Sequence, residues 1–375
     1  MGISSRASAA IRDLYPGYFA LVMATGICST ALRDTGQPLA SATLLVVAVV
    51  ALVVLGAALG WRLVRYPRRV LEDLGAPDRA FAFFTLVAAT NVVGVRLIAA
   101  GHQGAAIAVA AFGTLVWLGL TYAIPVRLIL GPRPKPVLAG VNGTWFIWVV
   151  GTQSIAVTLA TLDHSSLGHE RVTALLAVLM WSVGVVLYLI VATLVLTRLL
   201  LLDVRPEDLT PPYWVTMGAT AITVLAAARL MGMDPAPALT ATRPVLGGLA
   251  VTLWAFGTWL IPLLVAFGIW RHVLHRVRLS YVPTLWSIVF PLGMYAVASM
   301  ELGAVANLPI VEQIGRGWTW VAIAAWAVVF AGLCSSVVQA IMPRREPSEQ
   351  AEGPAPIAPP AARSGFSRGG FPRGQ

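Results

Sequence analysis

Runs of about twenty apolar residues recur from one end of this chain to the other, punctuated by short stretches of Arg, Pro and Gly. A helix of that length crosses the ~30 Å hydrocarbon core of a bilayer. The runs predict ten spans, near 16–33, 39–62, 80–100, 104–130, 143–162, 171–202, 212–231, 244–270, 282–302 and 317–341. The connections alternate: those after even-numbered spans are basic, and those after odd-numbered spans are mostly poor in Arg.

Composition fits this pattern. The 375 residues are 58% hydrophobic and 11% charged, with a mean hydropathy of +0.80, whereas soluble domains carry about 25% charged residues. The expected fold class is therefore an all-α integral membrane protein, with a 1–15 N-terminus, a 16–341 transmembrane domain and a disordered Pro/Gly/Arg-rich tail over 342–375. Residues 1–15 contain no apolar signal-peptide core, so the first span is expected to direct insertion itself. The net charge of +10 would point to nucleic acid in a soluble protein. Here no nucleic acid is expected, because the cations sit in loops between spans.

Of the 26 cationic residues, twenty fall on the N-terminus, the even-numbered loops and the tail, Lys135 among them. Arg33, Arg171, Arg243 and Arg316 lie on the opposite side, and Arg96 and Arg229 lie within spans. The positive-inside bias then places both termini in the cytoplasm of a multi-pass plasma-membrane protein. Cys28 and Cys334 fall in apolar spans and offer no disulfide or metal framework. His102, His164, His169, His272 and His275 lie in loops, so no cofactor, metal site or catalytic group is expected.

Aligning the odd-numbered spans exposes a repeat. The segments YFALVMATGI, FFTLVAATNVVG, WFIWVVGTQS, YWVTMGATAI and LWSIVFPLGM carry aromatic anchors at Phe19, Phe84, Phe146, Trp214 and Trp286. Six residues later stand Thr25, Thr90, Thr152, Thr220 and, breaking the pattern, Leu292. The repeat predicts five helical hairpins, with the five odd helices parallel around a quasi-five-fold conduit and the even helices facing the lipid bilayer. Four residues past the anchor come Met23, Ala88, Val150, Gly218 and Phe290, and seven past it Gly26, Asn91, Gln153, Ala221 and Gly293. Positions three apart share a helix face, so both sets are expected to line the conduit. The threonines, roughly 200° around the helix from the first set, are expected to pack between helices.

Phe290 is the exception in its set, a large ring among smaller or flexible residues, and Pro291 follows it. A gate that closes by dewetting and an ordinary core phenylalanine beside a membrane-helix proline both fit that pattern.

Three segments, PGYFALVMATGI at 16–27, NGTWFIWVVGTQSIAV at 142–157 and LWSIVFPLGMYAVAS at 285–299, resemble the tellurite-resistance/dicarboxylate transporter family. That family includes the plant slow-type guard-cell anion channels, fungal malate permeases and sulfite efflux pumps. The likeness covers nearly all of 14–341. It implies ten helices in five hairpins, a central pore, a homotrimer and a pore-blocking phenylalanine, which Phe290 matches. The plant channels' long phosphorylated domains have no counterpart in this sequence.

Ionisable residues within spans are functional candidates. Facing the conduit, Arg96 and Arg229 would attract anions to its outer mouth; alternatively they snorkel, or one of them pairs with Glu301. Glu301 is a candidate proton site. The sequence thus points to conduction of a small anion through a Phe-gated pore by a channel or uniporter. The alternative is a proton-coupled malate-like dicarboxylate carrier or a sulfite- or tellurite-type oxyanion efflux transporter.

Overall fold

The computed structural model describes residues 3–132, 136–162 and 170–341, all helices, turns and loops. The expected 342–375 tail, Lys135, His164 and His169 lie outside the described residues. Contacts divide the chain into two units, Met1–Cys334 and Ser335–Gln375. In the second, the Gln339 side-chain amide donates to the Ser335 hydroxyl at 3.2 Å.

Among the described residues, twelve α-helices run in order: α1 Ile3–Arg12, α2 Ala20–Asp34, α3 Pro38–Arg65, α4 Pro67–Gly75, α5 Phe84–Ala99, α6 Gln103–Leu130, α7 Phe146–Thr161, α8 Glu170–Leu201, α9 Val215–Met231, α10 Pro237–Ile269, α11 Trp286–Val305 and α12 Pro309–Ile341. Among the described residues, nine helical segments are long and apolar enough to cross a membrane. The remaining expected span is α2, only 15 residues long, preceded by a 3-10 turn over Pro16–Phe19. Short helices α1 and α4 were not foreseen. Arg62 of α3 ties both down, donating to the Arg12 carbonyl at 2.9 Å and pairing with Asp73 at 2.7 Å. Two spans start earlier than the sequence suggested. Pro237 and Pro309 open α10 and α12, where a missing amide hydrogen costs nothing because the first turn has no partner for it.

The odd-numbered spans form the inner layer. α2 packs on α5, α5 on α7, α7 on α9, α9 on α11, and α11 returns to α2, closing a circle of five. Burial separates the layers: 83% of the apolar stretch of Ala80–Ala99 is buried, against 17% for Pro38–Arg65. Each inner helix is preceded by a 3-10 turn, at Pro16–Phe19, Ala80–Phe83, Gly143–Trp145, Pro211–Trp214 and Pro283–Leu285. These turns also touch in sequence around a circle. All five inner helices therefore begin on one face of the protein, called here the N-face, and end on the opposite C-face.

Inner and outer helices of a hairpin are joined on the C-face. In two hairpins the turn needs a left-handed residue, Gly36 at φ +78° and Gly101 at φ +83°. The next amide reaches back five residues, Gln37 to Leu32 at 2.8 Å and His102 to Leu97 at 2.9 Å. This is a Schellman closure, which satisfies carbonyls at the helix end. Asn307, at φ 55° before Leu308, repeats it between α11 and α12.

Candidate functional site

At the centre of the inner circle lies a cavity of about 20 Å³, bordered by all five inner helices. A volume of ~10–15 Å³ admits one water, so the space holds little more than one. Its wall repeats with the helices. Eight residues after each aromatic anchor stand Ile27, Val92, Ser154, Ile222 and Met294, and eleven after it Thr30, Val95, Val157, Leu225 and Val297. Asn91 and Arg229 complete the lining. The wall is thus almost wholly apolar, with Arg229 its one charge.

The fourth-position residues sit on the same helix face one turn nearer the N-face, a step of about 6 Å. Met23, Ala88, Val150 and Phe290 are all buried, Phe290 at 1% exposure. Gly218 is buried too. α11 continues through Pro291, whose ring lies against Gly218 of α9. A methyl group on Gly218 would come within 2.8 Å of the proline Cγ.

Of the seventh-position residues, only Asn91 borders this cavity. The others lie off the wall. Gln153 turns outward and donates to the Trp181 carbonyl of α8 at 3.1 Å, with Gly184 leaving room for it. Gly26 faces Val92, and Gly293 faces Ile27 and Cys28, so these glycines set the spacing between neighbouring inner helices. Ala221 is buried among them. The lining register follows from continuing four residues beyond Met23 rather than three. Those positions were not singled out because they are ordinary apolar residues.

The threonines pack between layers. Thr152 accepts from Trp117 Nε1 at 2.9 Å and Thr25 from Trp326 Nε1 at 3.0 Å. Thr90 and Thr220 nestle against Gly113 and Gly257. Three of the four also donate to a carbonyl three or four residues back. No hydroxyl of this set reaches the cavity wall.

The charged candidates separate. Arg96 is 5% exposed and points between α2 and α3, where its Nε donates to the Ser29 hydroxyl at 3.0 Å and its Nη2 to the Ser41 hydroxyl at 2.9 Å. Each serine passes its own hydrogen to the other's backbone carbonyl, at 2.7 Å in both directions. Nη1 of Arg96 is buried without a partner. Arg229 instead pairs with Glu301 across the α9–α11 contact. Fifteen residues past the anchors, they belong to a C-face ring with Asp34, Ala99 and Thr161. Beyond the pair an open depression of about 540 Å³ is lined by Thr161, Asp234 and Glu301 among others, and Arg229 borders it as well.

No group of His, Cys, Asp and Glu suited to a metal occurs among the described residues. His272 and His275 bond locally, each donating from Nδ1 to a backbone carbonyl, of Val277 and Trp270 respectively.

A parallel five-helix circle with an apolar axis, wrapped by lipid-facing helices, belongs to the class of multi-pass membrane transport proteins. Over residues 13–334 the chain matches the family described as SLAC1, voltage-dependent anion channel, and it belongs to that family. It is 57% identical over 147 residues, 39% of this chain and 75% of the relative, to an uncharacterized membrane protein of Mycobacterium tuberculosis. An uncharacterized transporter of Methanocaldococcus jannaschii is 25% identical over 85% of this chain and 92% of its own length. The sulfite efflux pump SSU1 of Arthroderma otae is 23% identical over 86% of this chain and 90% of the pump. The family-level resemblance in the sequence and its anion-transport reading agree with these matches.

Proposed function

We propose that this protein conducts small anions along the axis of the inner circle, and that Phe290, seated by Pro291 against Gly218, is the constriction that holds it closed. The observation that carries this reading is the wall itself. It is uncharged and mostly apolar over two registers, with only the Ser154 and Thr30 hydroxyls breaking them, a bulky ring one turn toward the N-face and its one cation, Arg229, at the C-face end. A weakly interacting wall suits conduction, since an ion must leave as readily as it enters. Asn91 supplies a side-chain amide to this path, and Arg96 adds a buried positive charge beside it without touching it. The arginine count supports a cytoplasmic N-face in the plasma membrane, and the family resemblance supports a homotrimer.

The second reading is a proton-coupled carrier of malate-like dicarboxylates, or an efflux transporter for sulfite- or tellurite-type oxyanions. The half-buried carboxylate of Glu301 at the C-face favours it. Voltage-clamped reconstituted membranes distinguish the two. Wild type and Phe290→Ala are compared across chloride, nitrate, malate and sulfite gradients at two pH values. A gated conduit gives a larger anion current in the variant, with little dependence on the pH gradient. Unchanged current in a folded variant removes the gate, and uphill transport driven by a pH gradient alone selects the carrier.

A further inference from the structure

Arg229 borders two spaces at once, the central cavity and the open C-face depression. Its partner Glu301 stands on the neighbouring inner helix and lines the depression. The ion pair is therefore the partition between them. Among the described lining residues of both spaces Arg229 is the sole cation, and Asp234 and Glu301 are the anions. The remaining charge of this ring, Asp34, pairs through Oδ1 with Arg33 at 3.1 Å.

We propose that the Arg229 guanidinium is an anion-binding site at the C-face end of the axis, held in the resting protein by the chain's own Glu301 carboxylate as a displaceable occupant. The inference rests on conduction along this axis and adds a second constriction in series with Phe290. The ligand class is a small inorganic anion or a small carboxylate, the same chemistry that Glu301 presents. Arg229 Nε is buried and has no acceptor, so the guanidinium holds an unused donor beside the one given to Glu301. Displacement is feasible because the side chains of Arg229 and Glu301 are 22% and 28% exposed. A carboxylate that swings away enters a depression wide enough to hydrate it, rather than being stranded without a partner in the protein interior.

Two measurements test this. In detergent, unfolding temperature is followed while sodium chloride replaces sodium gluconate at constant ionic strength, since a ligand that binds only the folded state raises it. Glu301→Gln is expected to show a chloride-dependent rise with a half-saturating concentration about tenfold below wild type, and Arg229→Gln is expected to show none. If Glu301→Gln does not fold, Glu301→Asp, which loosens the pair by one methylene, is titrated instead, with a shift of the same sign. In membranes, half-saturation of chloride current from the C-face is measured in the Phe290→Ala background. The two neutral variants should shift it in opposite directions. Equal shifts, or none, in folded protein overturn the site and leave a structural clamp. Absence of any anion current in that background overturns the conduit reading instead, and the unfolding titration still decides the site.

Discussion

The ring of Pro291 on α11 occupies the place where any residue other than glycine at 218 on α9 would carry its Cβ, at 2.8 Å from the proline Cγ. The two inner helices thus meet by a ring fitting an absent side chain, one residue from Phe290. Phe290 is thereby flanked by a close contact between the Pro291 ring and the α9 backbone.

Gly218→Ala is accordingly expected to move α11 or strain it, because a proline ring cannot turn aside as a flexible side chain does. Overpacking of this kind costs about 1–3 kcal/mol. Thermal unfolding in detergent should show the loss, and chloride flux should differ from wild type as Phe290 is displaced. A fully stable Gly218→Ala with wild-type flux would mean that the contact does not position the ring.

The Arg96 cage makes a separate prediction. Ser29→Ala removes one of two hydroxyls that hold a guanidinium already short of a partner at Nη1. A hydrogen bond to a charged group contributes about 1.5–3 kcal/mol, so the unfolding temperature should fall clearly. Gly60→Ala, where nothing lies within 4 Å of the added methyl, serves as the control and should leave stability unchanged or slightly raised, since alanine is the better helix former. A Ser29→Ala as stable as this control would show that the cage contributes nothing.

Thr25→Val keeps the shape of the side chain and removes the acceptor for Trp326 Nε1. Hydrogen bonds between membrane helices contribute on average only ~0.6 kcal/mol, so a small loss of stability is expected, with no change in anion selectivity. Reversal potentials in mixed chloride and nitrate check the second half. A change in selectivity would place the hydroxyl on the conduction path instead of between layers.

At the N-face end of α8, Asp208 pairs with Arg198 at 3.1 Å. Partial burial opposes its charge, but the Arg205 amide and the Arg198 guanidinium outweigh that and lower its carboxyl below the ordinary range. A lowered folded-state value contributes stability that is present above the unfolded value of ~3.9 and is lost as pH falls through the folded one. The protection of the 202–210 amides from hydrogen exchange, measured relative to the unstructured rate at each pH, should therefore hold at neutral pH and fall only below about pH 4. Asp208→Asn should remove that acid-dependent step.

Several of these features were legible in the sequence for physical reasons. Membrane helices leave long apolar runs, and the Phe19, Phe84, Phe146, Trp214 and Trp286 anchors mark the five inner helices in the sequence itself. Packing the threonines between layers followed from helical geometry alone. The lining register was harder, because Ile27, Val92, Ile222 and Val297 are chemically indistinguishable from residues facing lipid. Gln153 looked like a conduit amide, yet it turns away because Trp181 offers a carbonyl on α8 and Gly184 leaves the space. The pairing of Arg229 with Glu301, 72 residues apart, was one of the alternatives the sequence allowed, and only the folded chain brings them together. Four of the five 3-10 turns did leave a trace, in Pro16, Gly143, Pro211 and Pro283 three residues ahead of their anchors.

That the inner helices all begin on the N-face makes the scaffold electrically asymmetric along the membrane normal. The outer helices run back and offset this field at a distance, but the five that border the axis point the same way, each leaving roughly half a positive charge at its first turn and half a negative charge at its last. An anion approaching from the N-face meets an attractive field, and from the C-face a repulsive one that Arg229 partly offsets. The inner backbone alone thus biases the axis. Even between identical solutions, current through such an axis should rectify, and exchanging one apolar lining residue for another should leave that rectification in place.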